Sequence, residues 1–335
     1  MKTAGLKGLF LVFSLFLTQC GTVPPAQVEN TPNLPEKKTV LLANGETYAY
    51  LEQGRDSGGD TFLLLHGNAS SSVHFLPLFE RFNNGLNVNN QLNNVHLVAP
   101  DLRGFGDSSY KKEFSSLAEL AEDVKLFADA LGISKAHVVG WSAGGGIALE
   151  LAASHPEFVS SLFIIAGTSY KGFPLFKRNT DGSVTPYASK KAMAQDPFMA
   201  PVLAAYKKKN ASFFERAWGT TVYTVNKPSA DDSKLYIAET LKQRNFIDLT
   251  WALAVFNMST EDNGYVQGTG AISRIVCPVV FTCGLRDLMV PAATVRENAA
   301  AIAGSTLLEY ENCGHSPLVD CPDRLAEDIL AQAFE

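Results

Sequence analysis

The chain has 335 residues, 46% of them hydrophobic and 10% aromatic, enough to bury the core of one large domain that carries an insertion. A formal net charge of −6 with no long basic stripe argues against a nucleic-acid partner. The run Lys207-Lys208-Lys209 reads as a solvated helix face.

Lys2 and Lys7 flank the start of an almost wholly apolar stretch, Leu9 to Leu17, that is too short for a good membrane span. This is the layout of an export signal over residues 1–19. It runs into Leu17-Thr18-Gln19-Cys20-Gly21, which resembles the lipobox of bacterial lipoproteins, where cleavage before the cysteine is followed by its acylation. Gln19 departs from that pattern, which has a small residue there. The expectation is an exported protein held at a membrane surface through Cys20, with a soluble secreted or periplasmic protein as the alternative. Residues 20–38 hold Pro24, Pro25, Pro32 and Pro35 without hydrophobic periodicity and read as an extended tether.

Val40 to Ala43 and Thr47 to Leu51 are strand-like runs around Asn44-Gly45, the preferred dipeptide of a two-residue hairpin turn. Short apolar runs follow at Thr61 to Leu65, Val95 to Ala99, Ala136 to Val139 and Leu162 to Ala166, with helical patterns at Leu117 to Leu131 and Ala143 to Ala153. Strands alternating with helices predict an α/β fold with a mostly parallel sheet covered on both faces. The alternation lapses from Thr168 to about Arg274, where helix-like pieces at Pro201 to Trp218 and Ser233 to Phe256 predict an inserted helical cap, 168–274. It resumes with Pro278 to Cys283, Ala292 to Ala303, Thr306 to Tyr310 and Pro322 to Phe334, so the core is 39–167 plus 275–335.

The chemistry is concentrated after Val138-Val139. There Gly140-Trp141-Ser142-Ala143-Gly144 places a serine at a strand-to-helix corner, with its hydroxyl raised above the sheet. A serine needs a base, and the base needs a partner to hold its tautomer. Of six histidines, His315 lies in a loop after a strand, in Asn312-Cys313-Gly314-His315-Ser316-Pro317, and is the candidate base. His96, His137 and His155 sit in or beside regular elements and read as structural. Asp287, in the turn after Pro278 to Cys283, is the candidate acid; the loop after the preceding strand holds no carboxylate. The oxyanion that forms on attack requires N–H donors, assigned to the amides of Ala143 and Asn68. His66 reads as a support for the Asn68 loop.

Four cysteines lie beyond Cys20. Cys277 and Cys283 share one predicted strand, about 20 Å apart, and cannot pair. A Cys313–Cys321 bridge around His315, a Cys283–Cys313 bridge, and free thiols all remain open. No spacing points to a metal or to a cofactor.

Serine, aspartate and histidine in that chain order, with the serine in a G-x-S-x-G elbow, resemble the α/β-hydrolases from Val40 to Phe334. The resemblance includes His66-Gly67, the loop Asp101 to Ser108, Gly284 to Pro291 and Gly314-His315. His66-Gly67-Asn68, Tyr170 to Pro174, Lys242-Gln243-Arg244-Asn245 and Phe256-Asn257-Met258-Ser259 further resemble poly(3-hydroxybutyrate) depolymerase-like hydrolases. The family implies hydrolysis of a small or oligomeric carboxylic ester, of hydroxyalkanoate type for the narrower group. The cap aromatics Tyr170, Phe173, Trp218 and Trp251 are expected to shape an apolar pocket. Carbon–carbon bond hydrolysis or lyase chemistry on the same triad, and ligand binding without catalysis, are the alternatives.

Overall fold

The computed structural model describes residues 36–334 apart from 57, 84–86, 89–90 and 93–94. The expected export signal, Cys20 and the tether up to residue 35 lie outside the described residues. No described helix is long and apolar enough to cross a membrane.

Eight strands form the central sheet: β1 (Lys38–Leu41), β2 (Thr47–Gln53), β3 (Thr61–Leu65), β6 (His96–Pro100), β7 (Ala136–Trp141), β8 (Val159–Ile165), β11 (Val279–Gly284) and β12 (Thr306–Tyr310). Between β3 and β6 lies a short hairpin of β4 (Asn87–Val88) and β5 (Gln91–Leu92), and another in the cap pairs β9 (Phe176–Arg178) with β10 (Val184–Pro186). The order across the sheet is β1-β2-β6-β3-β7-β8-β11-β12. β1, β2 and β6 pair antiparallel, and every pairing from β6 to β12 is parallel.

Successive residues of β3 feed opposite sides of this sheet, because side chains alternate along a strand. Leu63 and Leu65 pack with the helices Leu117–Ala130 and Ala143–Ser154, whereas Phe62 and Leu64 pack with Leu76–Asn83 and Pro322–Phe334. Both faces are therefore apolar, and the strands read as unbroken hydrophobic runs. The helix Leu117–Ala130 starts where it does because Ser116 accepts from the Glu119 amide at 3.2 Å while Glu119 accepts from Ser115 N at 2.8 Å.

Three expectations are corrected. The first hairpin is not closed by a two-residue turn, since only Gly45 has positive φ (88°) and Asn44 does not. Gly45 N donates to Leu42 O and Leu42 N to Glu46 O, giving a three-residue loop that ends on a left-handed glycine. The segment expected as a tether cannot run to residue 38, because Lys38 opens β1 and the half-buried Lys37 sits in an ion cluster with Asp101 and Glu239.

Each long helical pattern of the cap is two helices. Ala200–Lys207 stops before Lys209, whose φ is 51°, and Asn210 then caps Ala211–Thr221 by accepting from Phe213 N at 3.1 Å. Ala230–Thr240 and Phe246–Val255 are separated at Leu241–Asn245, where Arg244 N donates to Gly104 O of the core at 2.9 Å. The β9–β10 hairpin and a short helix Lys190–Ala194 accompany these four helices in the cap. It connects β8 to β11, which are hydrogen-bonded neighbours, so it leaves and re-enters the sheet at one place.

Candidate active site

The sheet reverses its winding at β3, whose neighbours β6 and β7 follow it in sequence on opposite sides. The loops at the carboxyl ends of β3 and β7 therefore diverge and leave a crevice, the usual ligand position in such sheets. Ser142 stands there immediately after β7, with φ 57° and ψ −120°. A left-handed serine is strained, and the strain is held by close packing. A Cβ on Gly144 would lie 2.1 Å from Leu65 O, and one on Gly67 2.9 Å from Ser142 Cβ. Only glycines at these two positions let the elbow settle against the β3 loop.

The structure brings the three candidate residues into one line. His315 Nε2 lies 3.0 Å from Ser142 Oγ, and His315 Nδ1 lies 2.8 Å from Asp287 Oδ2. Asp287 is itself fixed, its Oδ1 accepting from Met289 N at 2.7 Å and Val290 N at 2.9 Å. The His315 carbonyl accepts from Trp141 Nε1 at 2.8 Å, which ties the histidine loop to the residue next to the serine. Trp141, in β7, is buried for this purpose.

The proposed oxyanion donors flank the serine. Asn68 and Ala143 line the cavity at Ser142, and neither backbone N–H has a hydrogen-bond partner among the described residues. Ala143 opens the helix Ala143–Ser154, whose first amides carry partial positive charge.

His66 supports this loop. Its Nε2 accepts from Leu102 N at 3.0 Å, which leaves Nδ1–H to donate to Gly67 O at 2.8 Å. Burial lowers its pKa from 6.5 to about 4, so it remains neutral. Asp101 extends the same scaffold, accepting from Ser72 N and Asp107 N at 2.9 Å each. The other histidines are tied down elsewhere: His96 to Glu52, His137 to Ser161 and His155 to Glu122.

Two apolar cavities meet at Ser142. The larger, about 900 Å³ with its mouth included, runs under the cap past Trp218, Phe214, Val202 and Phe246. The smaller, about 660 Å³ with its mouth, is walled by Phe173, Leu175 and Leu253. Neither is lined by a charged Asp, Glu, Lys or Arg side chain. Of the four cap aromatics expected here, Trp218 and Phe173 face the cavities. Tyr170 and Trp251 line neither, Trp251 instead meeting Tyr265 edge-on at 5.8 Å.

Sequence reasoning singled out Lys242-Gln243-Arg244-Asn245 only as part of a resemblance and gave Gln243 no place at the site. Its Oε1 accepts from Ala69 N at 3.1 Å and Tyr206 OH at 2.6 Å, and its Nε2 donates at 2.8 Å to both Asn68 Oδ1 and Asn245 Oδ1. That motif, falling where the helical pattern breaks, was the available signal.

The α/β-hydrolase fold model matches residues 60–322, which is most of the chain. The chain belongs to the α/β-hydrolase fold family. A relative over its full length is Lipase 1 of Psychrobacter immobilis, 24% identical, with the alignment covering 96% of this chain and 94% of that one. The esterase EaEST of Exiguobacterium antarcticum superposes with a TM-score of 0.67 at 17% identity, over 90% of this hydrolase and 100% of that chain. A thermophilic esterase of Thermogutta terrifontis gives 0.66 at 17% identity, over 89% and 97%.

Proposed function

We propose that this carboxylic ester hydrolase works through a Ser142–His315–Asp287 acyl-enzyme cycle on neutral esters with an apolar acyl chain. The observation that carries the reading is the hydrogen-bonded line from Ser142 through His315 to Asp287, opening onto cavities without charged walls. Its resemblance to a lipase over nearly the whole chain supports an apolar ester. The narrower resemblance to hydroxybutyrate depolymerases finds no support in the relatives described above.

In this cycle His315 Nε2 takes the Ser142 proton as the oxygen attacks the ester carbonyl. Asp287 holds the tautomer with Nδ1–H and stabilises the imidazolium. The Asn68 and Ala143 amides receive the oxyanion. Collapse expels the alcohol with the proton from His315, and water then releases the acid by the same route. A carbon–carbon hydrolase would need the same triad but a carbanion-stabilising group, for which the apolar walls offer no charged candidate.

The test is turnover of p-nitrophenyl esters of increasing chain length, together with labelling by a fluorophosphonate. Cleavage and a single label on Ser142 are expected. Absence of both would overturn the reading. Export and acylation at Cys20 complete the proposal; a radiolabelled fatty acid should enter the full chain and not its Cys20→Ser variant.

A further inference from the structure

His315 lies between two cysteines that the fold brings together. Cys313, buried, and Cys321, half-buried, are eight positions apart, and their Sγ atoms approach to 3.1 Å without being bonded. That is inside ordinary non-bonded contact, about 3.5–4.0 Å between heavy atoms. The other two described cysteines, Cys277 and Cys283, have no such neighbour. Cys283 pairs in register with Glu309, and its Sγ faces the Glu309 carboxylate at 4.0 Å, so the Cys283–Cys313 bridge left open by the sequence is not arranged. Cys277 precedes β11.

The segment between the two sulfurs is already folded into a closed loop. Gly314 N donates to Asp320 Oδ2 at 2.7 Å, and Cys321 N to Pro317 O at 3.0 Å. Asp320 also accepts from Asn226 N at 2.8 Å, which joins this loop to the cap. Closing a bond from here asks each sulfur to move about half an ångström, with the backbone in place.

We propose that Cys313 and Cys321 form a disulfide that staples the loop presenting His315. The bond itself is independent of the reading of Ser142 as nucleophile; its effect on turnover rests on that reading. The reaction uses a small-molecule disulfide as oxidant. The Cys321 thiolate attacks one of its sulfurs, and a thiolate leaves with the electron pair of the broken bond. Cys313 then loses its proton and attacks Cys321 Sγ of the mixed disulfide, expelling the second thiolate. The protein gives up two protons and two electrons, and the oxidant becomes two thiols.

Cys321 is suited to the first step. The contact with Cys313, helped by the nearby Arg324 guanidinium, outweighs burial and the Asp320 and Asp328 carboxylates and lowers the Cys321 pKa. Cys321 is also the more exposed of the two. An interchange at a partly exposed, acidic thiol is the favourable order of attack.

The staple acts on the stability of the loop more than on the chemical step, because Asp287 and Trp141 already hold His315. Reduction is expected to lower Tm by roughly 3–6 °C, the scale for closing a loop of this size in a domain of this length. The value of kcat at 25 °C should change less than twofold.

The test equilibrates the full chain in oxidised and reduced glutathione, alkylates free thiols, and maps the tryptic peptide 297–324, which contains both cysteines. In the oxidised buffer this peptide should be unalkylated and two hydrogens lighter, while Cys277 and Cys283 take the label. Alkylation at both Cys313 and Cys321, or a link to another cysteine, would overturn the proposal. The melting shift on adding dithiothreitol should persist in Cys277→Ser and vanish in Cys321→Ser; its persistence in Cys321→Ser would also overturn it. Loss of ester turnover with the linked peptide intact counts against the triad and leaves the bond standing.

Discussion

Gln243 of the cap donates to Asn68 Oδ1 of the core at 2.8 Å while accepting from Ala69 N at 3.1 Å. The cap thus holds the loop that carries Asn68, the proposed oxyanion donor, which makes Gln243 a positioning residue in that proposal. In Gln243→Ala the loop loses both restraints, and kcat is expected to fall about tenfold with little change in KM, less than the loss of an oxyanion donor outright. Steady-state kinetics well below Tm check this, since a purely structural role would lower Tm and leave kcat unchanged.

Ser142→Ala should reduce ester turnover by at least about 10³-fold without altering the fold. Asp287→Asn keeps an acceptor for Met289 N and Val290 N but turns an amide NH₂ toward His315, favouring the wrong tautomer. A fall of about 10³–10⁴ in kcat is expected, with circular dichroism unchanged.

Lys37 Nζ lies 2.8 Å from Asp101, 3.0 Å from Asp107 and 2.8 Å from Glu239. The Asp101 and Glu239 side chains are almost fully buried, so removing the lysine strands charge in a low dielectric. Lys37→Met is expected to cost about 3–5 kcal/mol in denaturant unfolding. A truncation that begins at residue 39 should be similarly destabilised, whereas one that begins at residue 36 should not.

Acid should weaken the fold through His66. Its folded pKa, about 4, is below the ordinary 6.5 because of burial, so between those values the unfolded chain binds a proton that the folded chain refuses. Stability is full above pH 6.5 and falls by about 1.4 kcal/mol per pH unit for this one group until about pH 4. His74, buried between Tyr236 and Trp218 and pushed down to about 3, adds a second slope of the same sign. Chemical denaturation from pH 7 to 4.5 should show this fall, and His66→Gln should flatten it; an unchanged slope would refute the assignment.

The larger cavity should set the acyl-chain range. Ala217, on the cap helix Ala211–Thr221, lines it beside Trp218. Ala217→Trp is expected to cut kcat/KM for a long-chain p-nitrophenyl ester at least tenfold while changing that for the acetate less than threefold. Equal losses on both would show that the chain lies elsewhere, the smaller cavity past Phe173 being the other route.

What the sequence determined by itself was the sheet and the residues that come together in the line Ser142–His315–Asp287. The run Thr61–Leu65 is a strand as read, because a strand buried on both faces must be apolar almost throughout. The elbow at Ser142 was legible because a left-handed serine in a close-packed corner needs glycines, and Gly140 and Gly144 stand two residues to either side of it in the chain. Asp287 and His315 could be placed because loops after parallel strands share one edge of the sheet. Tertiary structure alone decided the rest. Gln243 reaches Asn68, Lys37 reaches Glu239 and Cys313 meets Cys321 through folding that no local period encodes. The same holds for the choice of Trp218 over Trp251 as a cavity wall, since both are aromatic residues on cap helices and only the packing of those helices distinguishes them. Local pattern specifies which elements form and which face is apolar; contacts between distant segments depend on how the elements dock, and there the sequence carries only the residues that will meet.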